Sequence, residues 1–228
     1  LVVRTLLNLQ NSGFQRAVVV TGYRAEEVEW ALANDPRLTI ELAFARNERW
    51  KAANGVSVLA ARPFVDSPEF YLLMSDHIFE RAILDRLAEA TLDPAGALLA
   101  VDRKLDEVFD LDDATKVQLD GGREIIQIGK QLTTFDAVDT GVFRCSRSLF
   151  DALADRLQSA VREGRIDDAE FISALMDAAG ETERMAQTAP LTAFRWASLN
   201  VCIKNHRGLP VEAAMWRSEE HTSELQSR

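Results

Sequence analysis

The strongest constraint in this chain is a set of short runs that are apolar at every position. Arg16 to Thr21 carries Ala-Val-Val-Val, Phe70 to Met74 is unbroken apolar sequence, and Ala97 to Val101 is another such run. A strand with one wet face alternates apolar and polar residues; a strand apolar throughout is covered on both sides. Helical periodicity fills the intervals. Glu26 to Ala33 reads as a helix, Val56 to Ala61 as a short apolar helix, and Phe79 to Ala90 places Phe79, Ile83, Leu84 and Leu87 on one face. Thr39 to Ala43 is a further strand by composition. Strands alternating with helices indicate an α/β domain with a mostly parallel sheet between helical layers. Lys116 to Leu119 and Ile125 to Ile128, joined through Gly121-Gly122, add a small β-hairpin insertion. Val138 to Cys145 is a strand, and Ser148 to Val161 and Asp168 to Ala179 are expected helices.

Charge narrows the partners. Lys and Arg total 26 and Asp and Glu total 36, a formal net charge of −10. That balance argues against nucleic acid or anionic membrane as a bulk-charge partner, while leaving room for a local phosphate site. No uncharged run approaches the ~20 residues a membrane helix needs, so no direct membrane contact is expected in this segment. The cysteines, Cys145 and Cys202, sit in apolar sequence and form no disulfide framework, which fits a reducing cytoplasm.

In open α/β sheets ligands bind beyond the carboxyl ends of the strands. Three such ends are polar: Thr21-Gly22-Tyr23-Arg24, Ser75-Asp76-His77 and Asp102-Arg103-Lys104. Asp76, directly after an apolar strand, suits Mg²⁺, a hard cation that takes one or two carboxylates plus phosphate oxygens. It could equally cap the following helix. His77 reads as a hydrogen-bonding neighbour, and His206 and His221 make no zinc cluster with it. Lys130, after Ile128-Gly129, is either a phosphate contact or a solvated charge. Asp139-Thr140-Gly141 sets a carboxylate, a hydroxyl and bare backbone side by side, and Asp110, Asp112 and Asp113 read as a solvated acidic turn.

Taken in order, these segments resemble a known family. Val18 to Tyr23, Asn47 through Asn54-Gly55-Val56-Ser57, and Leu73-Met74-Ser75-Asp76-His77 are similar to nucleotidyltransferases that activate sugar or alcohol phosphates with an NTP. Asp102-Arg103-Lys104, Asp110 to Val117, Ile128-Gly129-Lys130 and Val138 to Phe143 are similar to the CTP:inositol-1-phosphate cytidylyltransferase branch. The resemblance spans roughly Leu1 to Ala179. It implies a Rossmann-like three-layer α/β/α domain that transfers a nucleoside monophosphate, CMP from CTP, to an acceptor such as inositol 1-phosphate, with pyrophosphate leaving. Asp76 matches the family's Mg²⁺ ligand and Lys130 the Lys on the acceptor phosphate. Thr21 and Gly22 match the turn beneath the nucleotide, Asn54, Gly55 and Ser57 the loop beside its base, and Asp139 and Thr140 the acceptor pocket.

The chain also departs from the pattern. The family's opening strand and Gly-x-Gly-x-x-Arg loop, which cradles NTP phosphates, is expected before Leu1. The chain begins inside an apolar helix pattern (Leu1, Val2, Val3, Leu6, Leu7, Leu9) that stops at Gly13. Where the family places a second metal Asp, in Trp-x-Asp-Val-Asp-Thr, this chain reads Trp196-Ala197-Ser198-Leu199-Asn200-Val201. Arg217 to Arg228 reads as a translated sequencing adapter, so the domain is assigned to residues 1–216 and the rest to a non-native tail. The expectation is an enzyme in the parent protein, with this fragment inactive and a membrane-embedded transferase domain following in some relatives. Two alternatives stand beside it: a non-catalytic nucleotidyltransferase-like binding subunit, which the missing second Asp favours, and a nucleotide-sugar-dependent glycosyltransferase, whose Asp-x-Asp motif is matched in spacing by Asp110-Leu111-Asp112.

Overall fold

A computed structural model describes residues 1–51, 54–108, 110–121, 124–162 and 195–200. The elements run α1 (Val2–Asn11), β1 (Arg16–Thr21), α2 (Ala25–Ala33), β2 (Glu41–Arg46), α3 (Asn54–Ala60), β3 (Glu69–Leu73), α4 (Ala82–Glu89) and β4 (Gly96–Asp102). They continue with β5 (Lys116–Leu119), β6 (Ile125–Gly129), β7 (Ala137–Ser146), α5 (Leu149–Arg162) and β8 (Arg195–Asn200). The apolar runs are strands, as their two-sided hydrophobicity requires. The expected helix over 168–179 lies outside the described residues.

Two boundaries moved for local reasons. The second strand begins at Glu41 rather than Thr39. The side-chain oxygen of Gln10 accepts the amides of Thr39 and Ile40 at 2.6 and 3.1 Å, so those residues have no need of a ladder partner. Helix α4 begins at Ala82 rather than Phe79. Phe79 is buried among the helix's core residues, but its carbonyl accepts from Asn8 Nδ2 of α1 at 2.9 Å.

β4 shows why the domain has three layers. All seven of its residues are buried. Leu98 and Ala100 pack with Leu6, Leu9, Ile83 and Leu87, under α1 and α4. Ala97, Leu99 and Val101 pack with Val58, Phe150 and Leu153, under α3 and α5. Alternate residues therefore feed opposite cores, the period of two that a strand imposes. On the second side Phe70 and Phe150 stack with ring centroids 4.8 Å apart.

The sheet is mixed. β4 and β8 pair in parallel, whereas β7 runs antiparallel to β3, β4 and β5. It follows that β3, β4, β5 and β8 all point one way, with β7 threaded through them in reverse and β5 beginning, at Lys116, level with the end of β4 at Asp102. β1 and β2 form a separate parallel pair. Among the described residues β1 pairs with β2 alone and β3 with β7 alone, so each leaves one edge unpaired. Their apolar residues are accordingly half-buried, in contrast with β4. No helix among the described residues is long and apolar enough to cross a membrane.

β7 carries an irregularity that matters for the site. Its partners on β4 step from Leu99 to Val101 while β7 steps from Phe143 to Asp139. Two residue steps on β4 thus face four on β7, a bulge at Thr140 to Val142. Gly141 sits in it with φ +71°, the left-handed region that L side chains avoid. The bulge leaves Ala100, which pairs with Leu199 on β8, without a register partner on β7, and the Thr140 hydroxyl donates to its carbonyl at 2.7 Å. A buried carbonyl is thereby satisfied from a side chain.

Candidate active site

Asp76, His77, Asp139 and Thr140 come together at one edge of the six-stranded sheet, whereas Lys130 follows β6, Thr21 and Gly22 end β1 of the separate pair, and Asn54, Gly55 and Ser57 lie on α3. Asp76 and His77 follow β3, Asp102 ends β4, and the β7 bulge lies beside both. The Met74 amide donates to the Gly141 carbonyl at 2.9 Å, which carries the β3–β7 ladder up to the bulge. Beyond it the chain turns outward at Ser75 to His77.

The bulge makes a seat for His77. A Cβ on Gly141 would lie 2.7 Å from His77 Cγ, closer than real contacts allow, so a glycine at this position is what lets the ring approach. His77 Nδ1 is 2.9 Å from Asp76 Oδ1. That hydrogen bond, ahead of burial and charge, raises the His77 pKa and lowers that of Asp76. Asp76 is held ionised and oriented, with a solvent-facing carboxylate.

Asp139 behaves differently. Burial pushes its carboxyl up to about 6, against the Gly141 amide, which donates to it at 2.6 Å, and the nearby His77. Two carboxyls on one edge are therefore tuned apart, a pattern associated with functional sites. Thr140 is buried and its hydroxyl is engaged by Ala100, so what it presents toward a ligand is backbone.

Lys130 follows β6 and is exposed, with Nζ 2.7 Å from Asp113 Oδ1 of the acidic turn. The acidic turn therefore supplies the counter-ion of the candidate phosphate ligand. An incoming phosphate would replace one carboxylate of that pair, an exchange between anions at a solvated cation.

The candidate nucleotide end lies at the carboxyl ends of β1 and β2. Thr21, Gly22, Arg24, Arg46, Asn47 and Trp50 line a cleft of about 340 Å³. Thr21 donates its hydroxyl to Glu29 Oε1 at 2.7 Å, and Glu29 pairs with Arg46 at 2.9 Å. Arg46 first and Thr21 second hold the Glu29 carboxyl below its ordinary range. A Cβ on Gly22 would lie 2.3 Å from Trp50 Cβ, so this turn tolerates no side chain while Trp50 keeps its place. The Tyr23 and Trp50 rings stand 5.2 Å apart and Lys51 Nζ lies 5.0 Å from the Trp50 ring.

Asn54, Gly55 and Ser57 lie at the start of α3, with Gly55 buried. The residue that ties them to the cleft is Asn47. It is buried, its amide donates to the Thr21 carbonyl at 2.8 Å, and its Nδ2 donates to Ser57 Oγ at 2.9 Å. The sequence marked Asn47 merely as a motif member; a buried Asn is recognised as a strut once its partners are known.

A divalent cation can be weighed against the donor set. Among the described residues there is no group of three or more His, Cys, Asp or Glu placed to hold a metal. Asp76 offers one ionised carboxylate. That suits Mg²⁺, which takes one or two carboxylates and completes its shell with water and substrate phosphates. The parallel register sets Asn200, at the end of β8, beside Val101, which faces Asp139 across β4 and β7. An amide residue thus stands on this edge, in the stretch where the resemblance places the family's second metal Asp and this chain has no acid.

No family model matches the chain. Two curated relatives are both named bifunctional IPC transferase and DIPP synthase. That of Aquifex aeolicus is 34% identical over 158 residues, covering 69% of this chain and 34% of its own length. That of Rubrobacter xylanophilus is 35% identical over 158 residues, covering 68% and 34% respectively. The chain thus spans about a third of the length of the curated relatives it matches. Among solved structures, the inositol-1-phosphate CTP transferase from T. maritima superposes with a TM-score of 0.60 at 21% identity, over 87% of this chain and 72% of that one. A UDP-glucose pyrophosphorylase from Acinetobacter baumanii superposes with a TM-score of 0.63 at 10% identity, over 89% and 75%. These likenesses show the fold.

Proposed function

We propose that this chain, a homologue of the proteins named bifunctional IPC transferase and DIPP synthase with a Rossmann-like nucleotidyltransferase fold, serves in transfer of CMP from CTP to inositol 1-phosphate. The observation that carries the reading is the shared edge. An ionised carboxylate, Asp76, and a buried carboxyl, Asp139, lie close together at the β7 bulge, and this pair supports the reading.

In this reading the acceptor's phosphate oxygen attacks the α-phosphorus of CTP and the bond to pyrophosphate breaks. Such a reaction needs positioning and charge neutralisation more than covalent help from the protein. Asp76 would hold Mg²⁺, which when bound neutralises phosphate charge. His77, seated under Gly141, keeps the Asp76 carboxylate ionised and aimed. Lys130 exchanges Asp113 for the acceptor phosphate. Asp139, largely protonated below its pKa of about 6 and ionised above it, accepts from the Gly141 amide and faces the polyol side of the acceptor.

Initial rates of pyrophosphate release test the reading, using the protein translated from the whole reading frame that contains this chain. Release is expected to need both CTP and inositol 1-phosphate. Lys130→Met should raise the acceptor KM about tenfold or more, the equivalent of ~1.5–3 kcal/mol for a hydrogen bond to a charged group. Asp76→Asn should lower kcat by about 10²–10³, the usual loss when one electrostatic stabiliser is removed. Substrate binding without release, for every NTP and phosphate acceptor tried, would favour the binding-subunit reading that Asn200 raises.

A further inference from the structure

Lys116 is the first residue of β5 and is buried, at 8% exposure. Burying an ammonium is costly unless its protons are met. Here Nζ donates to two backbone carbonyls, Asp112 at 3.1 Å and Lys130 at 2.9 Å, with the Phe135 ring centroid 5.7 Å away. Among the described residues no carboxylate forms an ion pair with it. An apolar side chain of similar length would fill this space without the desolvation penalty. What the ammonium does and an alkyl chain cannot do is join two loops.

The two carbonyls belong to the segments that carry the candidate phosphate site. Asp112 precedes Asp113, and Lys130 is the ligand itself. Asp113 and Lys130 then pair above, at 2.7 Å. The β5 backbone also lies between the two strands that matter, with Lys116 opposite Gly129 on β6 and Val138 on β7. Lys116 is thus fixed on both sides before its side chain reaches the loops.

We infer that Lys116 is a positioning residue for Lys130: its buried ammonium clamps the Asp112 and Lys130 backbones so that the Lys130 side chain is presented to an acceptor phosphate. The inference rests on the reading of Lys130 as the phosphate ligand. The clamp acts on one substrate of the two, since neither loop touches the Thr21–Trp50 cleft.

Calorimetric titration of the full chain tests it, with inositol 1-phosphate and Mg·CTP as separate probes and circular dichroism as the folding control. Lys116→Met is expected to weaken inositol 1-phosphate about tenfold, in the range of lost supporting contacts, and to leave Mg·CTP within about twofold. Lys116→Arg, which can still bond two carbonyls, should stay within about twofold of the unmodified chain for both probes. A purely structural residue would shift both probes together. If inositol 1-phosphate fails to bind, or Lys130→Met leaves its affinity unchanged, the reading of the site has failed. If Lys130→Met weakens binding and a folded Lys116→Met does not, the clamp alone is overturned. Should the Met variant not fold, Lys116→Arg decides: both affinities within about twofold is the expected result, and a folded Arg variant that loses inositol 1-phosphate affinity about tenfold overturns the clamp. Hydrogen exchange on the unmodified chain needs no variant: inositol 1-phosphate should protect residues 110–113 and 130–131 together, and protection of one loop without the other overturns the clamp.

Discussion

Gly141→Ala concentrates the geometry of the site into one methyl group. Gly141 has φ +71°, and an L residue in the left-handed region costs about 1–2 kcal/mol. The added Cβ would also lie 2.7 Å from His77 Cγ and 2.9 Å from His77 Nδ1. Relief of such overpacking typically costs a further ~1–3 kcal/mol. The sum, about 2–5 kcal/mol, corresponds to a fall in Tm of roughly 5–15 °C for a domain of this size. The ring cannot move without loosening its bond to Asp76 Oδ1, so the His77 pKa should fall back toward its ordinary value. Calorimetric melts and histidine NMR titration report the two effects. The two costs separate in a cycle with His77→Ala, because removing the ring abolishes the clash and leaves the backbone strain. Gly141→Ala in that background should cost about 1–2 kcal/mol. Equal costs in both backgrounds, with an unmoved His77 pKa, would refute the seat.

The other predictions follow from the same edge. Asp139 has its carboxyl raised from 3.8 to about 6 by burial, so its contribution to stability is full below pH 3.8 and is lost as pH rises through 6. Asp139→Asn should therefore gain stability relative to the unmodified chain between pH 4 and 7, by at most ~3 kcal/mol; a difference constant across that range in denaturant melts contradicts this. Gly22→Ala should displace Trp50 and cost about 1–3 kcal/mol, with a shift in tryptophan emission that Trp50→Phe removes; an unchanged spectrum counts against the close packing of Gly22 on Trp50. Asn200→Asp places a carboxylate on the edge that Asp76 and Asp139 share and should tighten Mg²⁺ in the presence of CTP. Unchanged Mg²⁺ affinity in that variant places position 200 outside the metal's reach.

The strands were legible because burial on both faces leaves a signature in a single stretch of sequence. Phe70 to Met74 needs no partner to be recognised, nor does the polar residue that ends it. The bulge was not legible. Asp139-Thr140-Gly141 reads as ordinary strand until its register against Leu99 and Val101 is known. The hydroxyl of Thr140, expected at the acceptor, faces Ala100 for the same reason: the bulge leaves a carbonyl to satisfy. The structural roles of Lys116 and Asn47, both members of quoted motifs, were not legible because a polar residue announces its burial through partners distant in sequence, Lys130 in one case and Ser57 in the other. Lys130 stood out because it follows a Gly at a hairpin end, yet its partner Asp113 sat in a turn that composition marks as merely solvated.

Phosphorus NMR is the most direct test of the central claim that this edge brings a nucleotide and a phosphate acceptor together for transfer. The protein from the whole reading frame is incubated with CTP, inositol 1-phosphate and Mg²⁺, and the spectrum is followed with time. The account predicts a new pair of diphosphate-ester resonances growing in step with inorganic pyrophosphate, both slowed about a hundredfold or more with Asp76→Asn. CTP that stays intact, or is hydrolysed to CMP with inositol 1-phosphate untouched, would contradict it.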